Sequence, residues 1–323
     1  MGDNYLKNNT INIMKGLCML LVVAGHANCP FKSFIYLFHM PVFFMISGYL
    51  FKEDYFSNYK NIYLLLYKKI KRLWLPYVLS NLFFLFLASI ISSASTLHSK
   101  EYFVKVIKIL FFCFEPTLGG ASWFLGTLFS VTMLFACISY LIKYLSRRCF
   151  IIAHTILAIF FLEFSFYCQH YNSNIKLVIL RVLTVYILFF LGYFYNSYVT
   201  CNLNKYTLIL GCVGIFILFS SQGVWIGIDS NSYPNPLILT ILALAGWHFT
   251  YIVAVFIEKV PITSHIFSYI GTHTMPVLLF HFMTIFMLES IWPQCPWWSK
   301  TLFALLIPLL IAFSSSSIHS QKK

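Results

Sequence analysis

The sequence predicts an all-α membrane protein, a bundle of about ten transmembrane helices with both termini in the cytoplasm. Composition, the lengths of the apolar runs and the sorting of positive charge predict it. Of 323 residues, 60% are hydrophobic and only 10% charged, with a mean hydropathy of +0.80. A soluble domain carries about 25% charged residues, so a water-soluble fold of this chain would lack a polar surface. A bilayer core takes about 20 apolar residues per helix, and this chain supplies that length repeatedly.

Apolar runs bounded by polar, Pro or Gly clusters place spans near 11–29, 34–51, 73–93, 122–142, 149–166, 177–196, 206–222, 237–257, 266–289 and 299–315. The first begins after Lys7 and contains Lys15, like a signal peptide. Its Ala24-Gly25-His26-Ala27-Asn28 end is not a convincing cleavage site, so it reads as a retained helix. Residues 52–72 read as a loop ending Tyr67-Lys68-Lys69-Ile70-Lys71-Arg72. In the longest stretch between spans, 94–121, Lys105 and Lys108 alternate with Phe103, Val104, Ile107 and Ile109, which suits a helix at the membrane interface. No internal repeat or linker interrupts the chain, so residues 1–323 read as a single membrane-embedded domain.

With the N-terminus inside, 15 of the 22 Lys and Arg fall on the cytoplasmic side and 7 on the other. The positive-inside rule fixes that orientation, and an even number of spans follows. The net charge of +13 is thus a topology signal. No basic run interleaved with exposed aromatics points to nucleic acid. The nine cysteines are scattered through apolar runs without Cys-x-x-Cys or Cys/His ligand spacing, so they read as small core residues and no metal site is expected.

Ionisable groups at membrane depth cost about 2.5–3.5 kcal/mol each on insertion scales, and those that persist usually face a cavity or partner. Lys15 and His26 are such groups. Eleven helical steps of about 100° return within about 20° of the start, so both lie on one face, about 16 Å apart along the axis. Snorkelling of Lys15 and interfacial placement of His26 would explain the same spacing.

The flanking motifs sharpen the reading. Phe38-His39-Met40-Pro41 leads through Phe43-Phe44 to Ser47-Gly48-Tyr49, and Lys69-Ile70-Lys71-Arg72-Leu73-Trp74-Leu75-Pro76-Tyr77 follows. Later come Ser122-Trp123-Phe124-Leu125 and a segment from Gly271-Thr272-His273-Thr274-Met275-Pro276 to Phe280-His281. In this order the motifs resemble the acyltransferase-3 family of membrane acyltransferases, which O-acetylate bacterial cell-surface sugars. The resemblance runs from Asn9 to about Trp292. Family members usually carry Arg-x10-His; Lys15 keeps the charge and loses the planar bidentate fork.

That resemblance implies a multi-pass protein of the bacterial inner membrane with no permanently bound cofactor. It would transfer acetyl from acetyl-CoA to a hydroxyl of a surface polysaccharide or its lipid-linked precursor. Such transfer needs a base, an oxyanion stabiliser and cations for the CoA phosphates. His26 and Lys15 are the candidate catalytic pair, with His26 suited to the base. Lys15, Lys68, Lys69, Lys71 and Arg72 suit the CoA side, although topology and lipid headgroups explain that cluster equally well. His39, Trp123 and His281 are candidate contacts to the sugar or glycolipid acceptor, with helix-satisfied histidines and an aromatic belt as alternatives. The belt reading extends to Trp225, Trp292, Trp297 and Trp298, and Glu163 and Glu289 are candidate orienters of an imidazole. The competing reading is a sugar or glycolipid transporter or flippase, since such carriers also hold ionisable groups among many spans. A degenerate family member with a structural role in an assembly complex is a third.

Overall fold

The computed structural model describes residues 2–91, 100–113, 116–169, 174–198 and 205–320. Apart from an isolated bridge between Gly227 and Ser232, the regular structure among the described residues is helical. The elements are α1 (Gly2–His26), α2 (Lys32–Tyr36), α3 (His39–Tyr49), α4 (Tyr59–Lys69), α5 (Leu75–Ile91), α6 (Lys100–Leu110), α7 (Trp123–Leu141) and α8 (Arg147–Tyr167). They continue with α9 (Asn174–Tyr198), α10 (Lys205–Ser221), α11 (Pro236–Glu258), α12 (Pro261–Thr272), α13 (Thr274–Ile291) and α14 (Trp297–Ser320).

Six described helical stretches are long and apolar enough to cross a membrane: Tyr59–Ile90, Leu118–Leu141, Arg147–Tyr167, Leu177–Asn196, Pro236–Glu258 and Thr274–Ile291. Shorter apolar helices occupy Cys212–Ser221 and Trp297–Ile311. In α1 the polar Asn9, Asn12 and Lys15 dilute the apolar run, and it falls outside the six.

Three of the expected segments differ from the structure. The run 34–51 is not one helix: it breaks at Leu37–Phe38 into α2 and an 11-residue α3. At 1.5 Å per residue α3 spans about 16 Å, half of the hydrocarbon core. Pro41 explains the break, because in a continuous helix its ring would clash with the carbonyl of Leu37 four residues back. The stretch 52–72 is not a loop from Tyr59 onward. Asn58 caps α4 by accepting from the Asn61 N–H at 2.9 Å, and a π-helical segment, Ile70–Trp74, joins α4 to α5. Pro76, which has no N–H to give, follows that widened turn. The run 266–289 breaks at His273, which ends α12 and begins α13. Within the stretch 94–121, α6 is amphipathic, with Phe103, Val104 and Ile107 exposed.

The contacts group into two units: residues 1–43, 201–226 and 241–323, and residues 44–200 and 227–240. In the first, α1 packs along α12, with α13 and α14 also against it. Gly16 and Gly271 make the closest approach; a Cβ at either would overlap a backbone carbonyl of the facing helix. The end of α11 fastens the same contact. Both carboxylate oxygens of Glu258 accept bonds from α1, from Asn9 Nδ2 at 2.8 Å and Thr10 Oγ1 at 2.6 Å. Hydrogen bonds to a charged group contribute about 1.5–3 kcal/mol each. Glu258→Ala removes both and is therefore expected to lower stability by about 3 kcal/mol, the lower end of that sum at a part-buried site, read as a lower thermal midpoint of the purified protein.

In the second unit α9 packs against α7 and α8. Gly48 of α3 and Gly192 of α9 form a reciprocal backbone contact, each Cβ position blocked by a carbonyl, of Phe189 and Met45 respectively. His154 is fully buried between Ser139 Oγ at 3.1 Å and Tyr186 Oη at 2.7 Å, a satisfied core histidine. Ser165 and Thr184 pin the segment 227–233 through Asn231, whose Oδ1 lies 2.7 Å from Thr184 Oγ1.

Candidate active site

Helix α1 delivers His26 in its last turn, and the chain then reverses through Asn28, at φ 60°. An Asn tolerates that left-handed conformation better than a bulky residue would. The reversal lays Tyr36 of α2 back against α1. Gly25 makes room, since a Cβ there would sit 2.8 Å from Tyr36 Cε2. Tyr36 Oη consequently lies 3.3 Å from His26 Nδ1. The outer face of the Tyr36 ring stacks on Trp225, 4.3 Å between centroids and 19° between planes, and Trp225 is 40% exposed.

From α13 come His281 and Phe282, with ring centroids 5.4 Å and 4.4 Å from that of His26. His39, the first residue of α3, meets the Tyr36 ring at 4.9 Å. His26 is half-buried, whereas His39 and His281 are buried. Their tautomers follow from their partners. His39 Nδ1 is 2.8 Å from Ile35 O, and His281 Nδ1 is 2.8 Å from Val277 O and 3.1 Å from Leu278 O. A carbonyl only accepts, so Nδ1 carries the hydrogen in both rings and the neutral imidazole leaves Nε2 as a lone pair. In His281 that Nε2 is buried and has no hydrogen-bond partner.

Lys15 sits on the same uninterrupted helix as His26, half-buried, with Nζ 3.3 Å from Asn12 Oδ1. Asn12 is also the residue whose carbonyl faces Gly271, so the α1–α12 contact holds the Lys15 turn in place.

The structure thus brings His26, His39 and His281 together in the first unit, with Lys15 on the helix that carries His26. Trp123 belongs to the second unit, at the start of α7, with the buried Arg181 guanidinium 5.5 Å above its ring. Arg181 in turn donates from Nε to Asp229 O. Lys68, Lys69, Lys71 and Arg72 also lie in the second unit, on the last turn of α4 and the π segment. Lys68, Lys71 and Arg72 are exposed and Lys69 is half-buried. Neither acidic candidate orients an imidazole: Glu289 is paired with Lys300 Nζ at 2.6 Å, and Glu163 is exposed on α8 in the second unit. Trp292, Trp297 and Trp298 are exposed.

Tyr36 and Phe282 escape sequence reasoning as site residues, and Trp225 is read there as belt. Phe282 adjoins a flagged histidine, but Tyr36 has no signal: only the reversal at Asn28 reveals it. Among the described residues no three His, Cys, Asp or Glu side chains gather as a metal site.

Six described helical stretches long and apolar enough to cross a membrane make this a multi-pass membrane protein, with three imidazoles gathered in its first unit and a half-buried lysine on the helix that carries one of them. A family model described as an acyltransferase domain matches residues 8–316, and the chain belongs to this acyltransferase-3 family. It is accordingly a membrane acyltransferase. No curated protein and no solved structure matches it significantly.

Proposed function

We propose that the protein is an O-acetyltransferase that moves acetyl from acetyl-CoA to a hydroxyl of a surface polysaccharide or its lipid-linked precursor in the bacterial inner membrane. The observation that carries this reading is the half-buried His26 at the end of α1, flanked by Tyr36, His281 and an exposed Trp225 platform. His26 takes the proton of the acceptor hydroxyl as its oxygen attacks the thioester carbonyl. The tetrahedral intermediate collapses, the carbon–sulfur bond breaks, and His26 returns the proton to the departing CoA thiolate. General acid–base catalysis of this kind contributes about 10²–10⁴-fold. Aromatic faces such as Trp225 and Tyr36 suit the apolar face of a sugar ring. Lys15 is assigned to the CoA end of α1, and His39 is a further proposed acceptor contact. In the second unit, taken by itself, Lys68, Lys69, Lys71 and Arg72 are proposed cations for CoA phosphates and Trp123 a proposed sugar contact.

The test is transfer of label from acetyl-CoA to glycan or glycolipid in membranes that contain the native acceptor. Label in that fraction is the expected result. Counterflow of a sugar lipid without CoA, and no transfer, would replace the enzyme by a carrier.

The same reading holds about ten spans with both termini cytoplasmic, supported by the 15 to 7 division of positive charge. Reporter fusions at the two ends are expected to be active only as cytoplasmic reporters; a translocated signal from either end would reverse the orientation.

A further inference from the structure

His281 is the described residue with a buried side-chain polar atom that finds no partner, and it stands beside the proposed base. A buried unsatisfied group costs about 1–3 kcal/mol, so a native structure that retains one calls for an explanation. Packing does not supply it, because a phenylalanine ring would fill the site without the cost. The ring's orientation is fixed from behind: two backbone carbonyls of its own helix, Val277 O and Leu278 O, take the Nδ1 hydrogen. Its other nitrogen can then only accept. The His26 ring is half-buried and lies 5.4 Å away between centroids, tilted by 37°, a separation that two imidazoles turned nitrogen to nitrogen can bridge with a hydrogen bond.

We propose that His281 is the positioning residue of His26, its Nε2 accepting the His26 Nε2–H once His26 has turned toward it, before and throughout transfer. This rests on the acyl-transfer reading above. The consequence for His26 is a defined tautomer: with Nε2–H given to His281, Nδ1 holds the lone pair and is the nitrogen that takes the acceptor's proton. Nδ1 is also the atom that faces Tyr36 Oη at 3.3 Å, which marks where the attacking hydroxyl is received. His281 gains no proton in this scheme; it keeps its Nδ1–H on the backbone, and the proton removed from the hydroxyl stays on His26 until the thiolate takes it. A neutral acceptor stabilises the transient imidazolium without placing a second charge in the apolar interior.

The test compares labelled acetyl transfer by wild type, His281→Phe, His26→Ala and the double variant at matched membrane levels. His281→Phe is expected to slow transfer by about 100-fold, with the KM for acetyl-CoA unchanged and a thermal midpoint equal to or above that of wild type. The double variant is expected to be no slower than His26→Ala. Transfer by His281→Phe within twofold of wild type, or a double variant slower than His26→Ala, overturns the proposal. A second readout needs neither folding of the His281 variant nor activity: in protein labelled with [15N]histidine, the unprotonated His281 Nε2 resonance is expected to move in His26→Ala. An unmoved resonance overturns the pairing. Absence of CoA-dependent transfer by wild type would instead remove the enzyme reading and leave the pairing to this spectrum.

Discussion

His26→Ala is expected to reduce acetyl transfer by about 10²–10⁴-fold, the range that a positioned general base contributes. The loss should appear in kcat, with the KM for acetyl-CoA held, because the cations assigned to CoA are other residues. Structural damage should be small. His26 is half-buried in the last turn of α1, the main packing of α1 on α12 lies further toward its N-terminus around Gly16, and Ala is a good helix former. Labelled-acetyl transfer in membranes, paired with the thermal midpoint of the purified variant, separates lost chemistry from lost fold. A variant that is stable and still transfers at more than one-tenth of the wild-type rate would move the base elsewhere, and His39 and His281 would be the next to test.

Gly271→Ala is expected to lower stability strongly. The new Cβ would overlap the Asn12 carbonyl oxygen, lie 2.7 Å from its carbon and 3.0 Å from Gly16 N. All three are backbone atoms, so no side chain can swing aside and the two helices must separate. Overpacking of a tight contact costs about 1–3 kcal/mol, and a backbone obstacle belongs at the upper end. Function should fall with it, since Asn12 holds Lys15 and α1 carries His26. The check is a fall in thermal midpoint together with lost transfer. By contrast, alanine at Gly214, where a Cβ meets nothing within 4 Å, should leave both unchanged.

How far the site was legible in the sequence depended on whether a signal was local. Lys15 and His26 share one helix, and an eleven-residue spacing suffices to put them on one face. His39 and His281 were visible as ionisable side chains inside apolar motifs. The helix breaks were harder. Pro41 and the Gly271-Thr272-His273 sequence interrupt runs whose hydropathy barely changes, so a profile that averages over about 19 residues reads straight through them. The amphipathic α4 was obscured for the opposite reason, because its lysines lower the average while its backbone remains helical.

That this chain is an all-helical membrane protein of the acyltransferase-3 family can be read without any structure, because hydropathy, charge sorting and motif order are properties of the linear chain. Which residues surround His26 depends on the packing of the helices. Tyr36 reaches His26 through the turn at Asn28, and His281 arrives from a helix some 250 residues later. The same packing decides that Glu289 pairs with Lys300 while His281 is left with an unpartnered nitrogen. Such pairings depend on the distances between side chains of different helices, and those distances follow from the packing of backbone on backbone at contacts such as Gly16 with Gly271, which no single stretch of sequence encodes.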